Sequence, residues 1–342
     1  MVKALFALKE ESLHALGRRR RFVHGPTPIV RMPRLADRLG LDLWIKRDDA
    51  SGGAEAGNKL RKLEYLVADA LSQGADTLVT GGHVQSNHAR TTAIVAATLG
   101  LRCALSLWSD KEHASVPATG NALIDQMVGA EIELLGPVPV SQRAAALEEA
   151  AARIARRGGR PYIIPEGGSN GVGALGYVQA CREIRKQLDA GLANGKSFDV
   201  IVHACGSGGT AAGLAAGAHA FDVAKSVHAM AIVPDATSLR HAVGRIIGEL
   251  GRLMPDLGAP SAWTVDPRGQ DGAESLSVAQ RRFMVEMARY GLILDPVYTG
   301  KAFWGLARAV HEDGSWVGKR VLFVHTGGLP GLFSQDFGLV DP

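Results

Sequence analysis

Short apolar runs alternate along this chain with longer segments in which apolar residues recur at helical spacing. Residues 41–45, 77–80 and 102–108 are typical of buried strands. The helical segment between the first two runs places its apolar residues on one face and ends near Gly74. Strands that alternate with helices in this way predict parallel sheets with helices packed on them. The sequence therefore predicts an α/β fold.

The length of 342 residues exceeds the usual size of a single domain. No internal repeat, low-complexity segment or evident linker divides the sequence. We therefore predict two interlocked domains that share a cleft, with the chain crossing between them more than once. Residues 1–55 and 166–342 are assigned to a large, discontinuous domain, and residues 56–165 to a small one.

Charge and hydropathy restrict the kinds of partner. The formal net charge is +4, and the one dense basic run, residues 18–21, has no interleaved aromatic residues and no nucleic-acid motif. No apolar run reaches the length of a signal-peptide core or of a membrane span. We therefore expect neither nucleic acid nor a membrane as a partner, and we do not expect export.

The cysteines indicate the redox compartment and bear on whether a metal site is present. Cys103, Cys181 and Cys205 are widely spaced, and no CxxC pair occurs. The odd number argues against a disulfide framework, and the spacing argues against a zinc site. A protein of the reducing cytoplasm without a metal centre is therefore expected.

One lysine stands where a reactive amine would be useful. Lys59 follows a run of small residues, 51–57, and lies at the start of an amphipathic helix. The positive field of a helix N-terminus lowers the pKa of an amine and favours the neutral, nucleophilic form. Such an amine can form an imine with an aldehyde cofactor. The alternative is an ordinary surface lysine that opens a helix.

A glycine-rich loop follows the strand predicted at residues 199–203. It precedes an Ala- and Gly-rich helix, so backbone N–H groups and hydroxyls can converge on an anion such as phosphate. Ala211 stands where the dinucleotide fingerprint needs its third glycine, and no Gly-Lys-Ser/Thr of a P-loop follows. A turn needed only for packing is the alternative. The loop consists of Gly206, Ser207, Gly208, Gly209 and Thr210.

An imine-forming lysine and a phosphate loop without nucleotide motifs are together what pyridoxal phosphate requires. Ordered motifs at residues 27–28, 45–49, 57–65, 85–88, 167–170, 206–210, 295–301 and 325–328 extend the pattern over nearly the whole chain. In these motifs the chain resembles the pyridoxal-phosphate lyases and deaminases of the tryptophan-synthase-β fold type. The branch it resembles contains D-cysteine desulfhydrase, L-cysteate sulfo-lyase and 1-aminocyclopropane-1-carboxylate (ACC) deaminase.

The resemblance implies fold type II, in which two domains with mostly parallel twisted sheets hold the cofactor in the cleft between them. It also implies roles for individual residues. Lys59 would hold pyridoxal phosphate covalently and later act as the base at the substrate α-carbon. Asn87 would hydrogen-bond the 3-oxygen of the cofactor ring. Asn58 would make a further contact with the cofactor. Ser86 would lie near the substrate carboxylate, and Tyr298 would contact the substrate. Helix capping for the Ser86–Asn87 pair and a packed core tyrosine are the alternatives.

Three positions differ from the ACC deaminase pattern, which has Gln, Glu and Leu where this chain has His88, Thr299 and Thr326. The two threonines are expected beside the ring nitrogen, where a glutamate would keep that nitrogen protonated and a threonine does not. A neutral ring suffices when a good β-leaving group is expelled. The pattern therefore favours β-elimination from a small sulfur amino acid, with D-cysteine giving pyruvate, ammonia and hydrogen sulfide.

Other assignments stay open from the sequence. L-cysteate sulfo-lyase comes next, since His83 adds an imidazole near the expected site, and ACC deaminase follows. His88 either orients the substrate and protonates the leaving sulfur or is only packed and hydrogen-bonded. A racemase on the same fold, and a phosphate- or nucleotide-binding protein without pyridoxal phosphate, are further alternatives. The resemblance also implies a homodimer that acts on a small amino acid.

Overall fold

The computed structural model describes residues 16–110, 115–270 and 276–334. The strands of this part of the chain form two sheets. In chain order they are β1 (Ile29–Arg31), β2 (Asp42–Lys46), β3 (Thr77–His83), β4 (Arg102–Trp108), β5 (Glu131–Leu134), β6 (Pro161–Ile163), β7 (Phe198–Cys205), β8 (Ala224–Ala231), β9 (Ala262–Asp266) and β10 (Arg320–Val324).

The α-helices of the same part of the chain lie between these strands, except for the last helix, which follows β10. They are α1 (Pro33–Leu39), α2 (Asn58–Ser72), α3 (Asn87–Thr98), α4 (Gly120–Met127), α5 (Val140–Arg156), α6 (Gly171–Asp189), α7 (Gly209–Ala220), α8 (Ala236–Leu253), α9 (Val278–Arg289), α10 (Thr299–Glu312) and α11 (Leu329–Leu332). None of these helices is long and apolar enough to cross a membrane.

The larger sheet has six strands in the order β1-β2-β10-β7-β8-β9, and the smaller has four in the order β5-β4-β3-β6. Every pairing is parallel except that of β1 with β2. In the larger sheet Leu322 of β10 lies opposite both Trp44 of β2 and Ile201 of β7. The prediction of mostly parallel sheets is confirmed.

Both sheets bury apolar side chains on both faces. Helices α6, α7 and α8 cover one face of the larger sheet, and α1, α9 and α10 cover the other. In the smaller sheet α2 and α3 pack on one face and α5 on the other. Strands buried on both sides read as continuous apolar runs, which is why they were recognisable in the sequence. The predicted domain boundaries, 1–55 with 166–342 and 56–165, stay a prediction.

One strand is longer than the sequence indicates. The sequence predicts a strand over residues 77–80, but β3 continues through Gly81 and Gly82, which pair in register with Ser106 and Leu107 of β4. A Cβ atom on Gly81 would lie 2.6 Å from the Trp108 ring and 2.8 Å from the Ser106 carbonyl oxygen. Glycine therefore marks close packing inside the sheet here, and it does not mark a turn.

A buried ionic network holds α2 against α6 and the end of β2. The Arg61 guanidinium donates to both carboxylate oxygens of Asp48, at 2.8 Å each, and to both oxygens of Glu183, at 2.9 and 3.2 Å. Lys46 adds a bond of 2.6 Å to Glu183, and Tyr177 adds one of 2.7 Å to Asp48. The network fixes the helix that carries the candidate lysine, two residues from that lysine.

Candidate active site

Lys59 lies in the first turn of α2, where the helix starts against the segment that follows β10. The backbone N–H of Asn58 donates to the Thr326 carbonyl oxygen at 3.0 Å. Gly57 precedes the helix with φ of 125°, and a Cβ atom there would lie 2.9 Å from the same oxygen. The close approach of the two segments therefore requires glycine.

The Lys59 amine is available for chemistry. Among the described residues nothing hydrogen-bonds its Nζ, and its pKa is lowered to about 8. Burial is the largest cause of the lowered pKa, while the charges of Glu166 and Cys205 act in the opposite direction. A lowered pKa was expected for Lys59 from the sequence, but the expected cause was the positive field of the helix N-terminus and not burial. A substantial fraction of this amine is neutral near pH 8, which suits a nucleophile.

The glycine-rich loop lies directly beside the start of α2. The Asn58 side-chain amide donates to the Thr210 hydroxyl at 3.1 Å, so the residue before Lys59 contacts the loop. Gly208 has a left-handed φ of 88° and directly precedes helix α7 as its N-cap. The first N–H groups of that helix have no partner within it, and an anion can accept their hydrogen bonds.

Lys62 also belongs to this site, although no role was predicted for it from the sequence. Its Nζ donates to the Gly167 carbonyl oxygen at 2.9 Å and to the Ser169 hydroxyl at 3.3 Å. A Cβ atom on Gly209 would lie 2.9 Å from the same nitrogen. Ser169 in turn lies 2.8 Å from the Ser207 hydroxyl. The available signal was the spacing of three residues from Lys59, which places both lysines on one side of the helix.

Lys62 is only 1% exposed, and no carboxylate forms an ion pair with its amine in the described residues. Burial lowers its pKa well below the ordinary lysine value, and the charge of Lys59 lowers it further. A buried amine without a counter-charge, next to a helix N-terminus, is an environment that a phosphate group would stabilise.

Ser86 and Asn87 lie at the start of α3, beyond the carboxyl end of β3. The Ser86 hydroxyl accepts from the backbone N–H groups of His88 and Ala89, each at 3.2 Å. The expected alternative of helix capping is thus present for Ser86, and the proton of its hydroxyl remains to be donated. The Asn87 side-chain oxygen accepts from Arg90 and Asn121, while its Nδ2 makes no hydrogen bond within the described chain.

His88 is packed in the interior. Its Nε2 lies 2.9 Å from the Thr80 hydroxyl, which donates its only proton to the Ile164 carbonyl oxygen at 2.7 Å. Nε2 must therefore carry the hydrogen, and Nδ1 is a buried acceptor without a partner in the described residues. Burial lowers the pKa of His88 well below its usual value. A neutral ring with its only proton engaged matches the packed alternative, so we assign no proton donation to His88.

The two threonines expected at the ring nitrogen differ in what they can donate. The Thr299 hydroxyl donates to Asp295 Oδ1 at 2.7 Å and accepts from the Asp295 backbone N–H at 2.8 Å. Thr326 is buried, and its hydroxyl makes no hydrogen bond within the described chain. Thr326 therefore keeps a proton to donate, whereas that of Thr299 is used at the start of α10.

Tyr298 lies near the glycine-rich loop, and Glu166 lies near Lys59 and Tyr298. A Cβ atom on Gly206 would lie 3.8 Å from the Tyr298 ring, so this tyrosine adjoins the glycine-rich loop. Burial raises the pKa of Tyr298, and Asp295 and Glu166 raise it further. The pKa of Glu166 is itself raised by burial, although Arg143 and Lys59 oppose the shift. The sequence did not indicate Glu166, whose proximity to Lys59 depends on the tertiary fold.

The structure thus brings together the predicted residues of α2, the glycine-rich loop, the start of α3 and the segments around β10. In the described part of the chain, no group of three or more His, Cys, Asp and Glu side chains could hold a metal ion.

Comparison with known proteins identifies this arrangement. Residues 21–327 match the family model described as pyridoxal-phosphate dependent enzyme. The chain belongs to this family. Pyridoxal phosphate is accordingly its cofactor, and the residues present fit it: Lys59 offers a free amine, and Lys62 with the glycine-rich loop offers a site for a phosphate.

Individual relatives narrow the comparison. Two D-cysteine desulfhydrases from Klebsiella pneumoniae are each 39% identical over 325 residues, which cover 91% of this chain and 94% of the relative. A crystal structure of an ACC deaminase homologue superposes with a TM-score of 0.82 at 35% identity, covering 94% of this chain and 96% of the other.

A threonine deaminase isoform from Solanum lycopersicum has a TM-score of 0.64 at 17% identity, with 94% of this chain and 85% of the other covered. That likeness shows the fold alone. Together the matches identify the fold as that of the fold type II pyridoxal-phosphate enzymes, as expected from the sequence.

Proposed function

We propose that this enzyme is a pyridoxal-phosphate-dependent carbon–sulfur lyase that converts D-cysteine to pyruvate, ammonia and hydrogen sulfide by β-elimination. The observation that carries the proposal is a free Lys59 amine with a pKa of about 8, joined through Asn58 to an anion-binding loop, in a chain 39% identical to D-cysteine desulfhydrases. The identity extends over nearly the full length of both proteins.

The residues around the lysine divide the work of holding the cofactor. The N–H groups at the start of α7 and the Lys62 ammonium would bind the phosphate. The Asn87 Nδ2 would donate to the ring oxygen, and the Thr326 hydroxyl to the ring nitrogen. A hydroxyl at that nitrogen does not force it to carry a proton, which agrees with a reaction that expels a good leaving group.

Pyridoxal phosphate, when bound, supplies an electron sink that stabilises negative charge on the substrate α-carbon. Lys59 would form the covalent link to the cofactor, and its amine, once released by the substrate, would accept the α-proton. Ser86 keeps a hydroxyl proton that would bind the substrate carboxylate. Tyr298 would contact the substrate from the side of the glycine-rich loop.

The homodimer and the cytoplasmic location belong to the same proposal. Cys103, Cys181 and Cys205 are buried free thiols, which agrees with a reducing compartment. Multi-angle light scattering of the purified protein tests the dimer: a mass of about twice 36.0 kDa supports it, and a mass near 36.0 kDa contradicts it.

The decisive experiment offers the purified enzyme D-cysteine, L-cysteine, D- and L-cysteate and ACC in parallel, with pyruvate, sulfide, sulfite and α-ketobutyrate assayed. Pyruvate and sulfide from D-cysteine support the proposal. Sulfite from cysteate would identify a sulfo-lyase, and α-ketobutyrate from ACC a deaminase. Racemised cysteine without ammonia would identify a racemase. A protein that binds no pyridoxal phosphate would refute the chemistry altogether.

The phosphate site has its own test. Lys62→Met should raise the dissociation constant for pyridoxal phosphate by about 10- to 100-fold, since a hydrogen bond to a charged group contributes roughly 1.5–3 kcal/mol. The affinity is measured by spectral titration of the apoprotein. Lys186→Met, which removes an exposed lysine from α6, is the matched control and should leave the affinity unchanged. Equal affinities in both variants would remove Lys62 from the phosphate site.

A further inference from the structure

The Asn87 amide lies in a hydrogen-bond arrangement that determines which way it faces. Its Oδ1 accepts from Arg90 Nη1 at 3.1 Å and from Asn121 Nδ2 at 3.1 Å. A guanidinium can only donate hydrogen bonds. The side of the amide that faces Arg90 must therefore be the oxygen, and the Nδ2 group must face away.

The second donor is oriented by the same guanidinium. Arg90 Nη1 donates to Asn121 Oδ1 at 2.8 Å, so the Nδ2 of Asn121 is the group left for its other neighbours. That nitrogen donates to the Gln85 carbonyl oxygen at 2.9 Å as well as to Asn87. One cation thus orients two amides in sequence, and a flipped Asn87 would place its nitrogen against two donors.

Arg90 is itself held rigidly. It is 1% exposed, and its Nη2 donates to the Ala56 carbonyl oxygen at 2.9 Å and to the Thr91 hydroxyl at 3.2 Å. Ala56 belongs to the segment that leads into Lys59, so the guanidinium connects α3 to the lysine's own loop. Burial lowers the pKa of Arg90 to about 10, while the charges of Asp125 and Glu55 oppose this. The guanidinium therefore remains charged at neutral pH.

We infer that Arg90 and Asn121 are positioning residues that orient the Asn87 amide so that its Nδ2 donates to the ring oxygen of the cofactor. This inference rests on the proposed function, since it takes Asn87 as the residue beside that oxygen. An amide free to rotate would offer its own oxygen to the ring oxygen for part of the time, and two acceptors repel each other. Arg90 and Asn121 act through Asn87 and need no contact with the cofactor.

The readout is the pKa of the visible chromophore formed with Lys59, measured by absorbance titration of the purified holoenzyme. A hydrogen bond donated to the ring oxygen stabilises its negative charge most when the neighbouring nitrogen has lost its proton, and so it lowers that pKa. Asn87→Ala should therefore raise the chromophore pKa by about one unit. Arg90→Met should raise it in the same direction, and Arg90→Lys, which keeps a charged donor, should restore it in large part.

The double variant Asn87→Ala/Arg90→Met separates positioning from a general effect on structure. If Arg90 acts through Asn87, the double variant has the chromophore pKa of Asn87→Ala alone, so the two shifts do not add. Additive shifts would overturn the inference. So would an unchanged chromophore pKa in Arg90→Met.

A second variant keeps the test independent of whether Arg90→Met folds. Asn121→Asp preserves the shape of the side chain and replaces the donor toward Asn87 by an acceptor, so the chromophore pKa should again rise. An unchanged pKa would refute the role of Asn121. Arg102→Met, at an exposed arginine of β4, is the control without a shift. A wild-type protein without a visible chromophore would instead refute the proposed function, which distinguishes the two failures.

Discussion

Replacing Arg61 by methionine should destabilise this protein far more than the loss of an ordinary ion pair. Arg61 is 1% exposed and donates five hydrogen bonds, to Asp48, Glu183 and the Thr27 hydroxyl. Removing Arg61 leaves the fully buried Asp48 carboxylate without the guanidinium that pairs with its charge and donates to both of its oxygens. Breaking a buried pair by removing one partner costs about 3–5 kcal/mol, because an uncompensated charge stays inside.

The exposed pair between Arg31 and Asp42 provides the control. These groups lie 3.2 Å apart with side chains 52% and 26% exposed, and such surface pairs contribute about 0–1 kcal/mol. Urea unfolding of both apoproteins, followed by fluorescence and circular dichroism, measures the difference. If Arg61→Met lowers the free energy of unfolding no more than Arg31→Met does, the network does not have the stabilising role inferred from its burial.

The destabilisation caused by Arg61→Met should also depend on pH in a defined direction. Burial alone would raise the pKa of Asp48, but the charge and hydrogen bonds of Arg61 hold it below its usual value. In the wild type, Asp48 therefore contributes fully to the free energy of unfolding above the pKa that it has in the unfolded chain. This contribution is lost as the pH falls through the pKa of Asp48 in the folded state. Without Arg61, burial raises the pKa of Asp48 in the folded state. As the pH falls, protonation of Asp48 removes the buried charge and so reduces the destabilisation of the variant. The difference in the free energy of unfolding between wild type and Arg61→Met should narrow as the pH falls from 7 toward about 4, the pKa of an unfolded aspartate, and a constant difference would contradict this account.

Three further predictions concern the site. Gly57→Ala should cost about 1–3 kcal/mol in the free energy of unfolding, because its φ is 125° and the Cβ would lie 2.9 Å from a carbonyl oxygen; Gly74→Ala, at φ of 71° with open space, should cost less. Labelling of Lys59 in the apoprotein, followed by mass spectrometry, should rise with pH about a midpoint near 8, and a rate still climbing at about pH 10, the ordinary lysine range, would contradict it. Ser86→Ala should lose about 1 kcal/mol of stability, as Asp235→Ala should at the exposed cap of α8, but only Ser86→Ala should also raise KM.

The sequence predicted the sheets and the position of the lysine because both depend on local patterns. Strands buried on both faces are continuous apolar runs. The loop at residues 206–210 is recognisable because its glycines and hydroxyl residues stand between a predicted strand and a predicted helix. The extension of β3 through Gly81 was missed because glycine reads as a turn in sequence, while its reason here is the packing of the Trp108 ring against the strand.

Parts of the site could not be read from residue types. Lys62 faces the glycine-rich loop only because α2, the loop at residues 167–169 and the start of α7 meet in the fold. The Thr299 hydroxyl was expected beside the ring nitrogen, yet its proton is donated to Asp295, and only side-chain geometry could show this. The tautomer of His88 likewise follows from a hydrogen bond to Thr80, eight residues away, and its neutral state follows from burial.

The strand order of the larger sheet has a consequence for how the chain acquires its structure during synthesis. Of the strands that the structure describes, β10 is the last to leave the ribosome, but it lies between β2, among the first, and β7. The four-stranded sheet uses strands from one continuous stretch, residues 77–163, and can close early. The six-stranded sheet stays in two parts until residues 320–324 are available, and such distant pairings form slowly. A nascent chain released before that point would expose the facing edges of β2 and β7 to other chains.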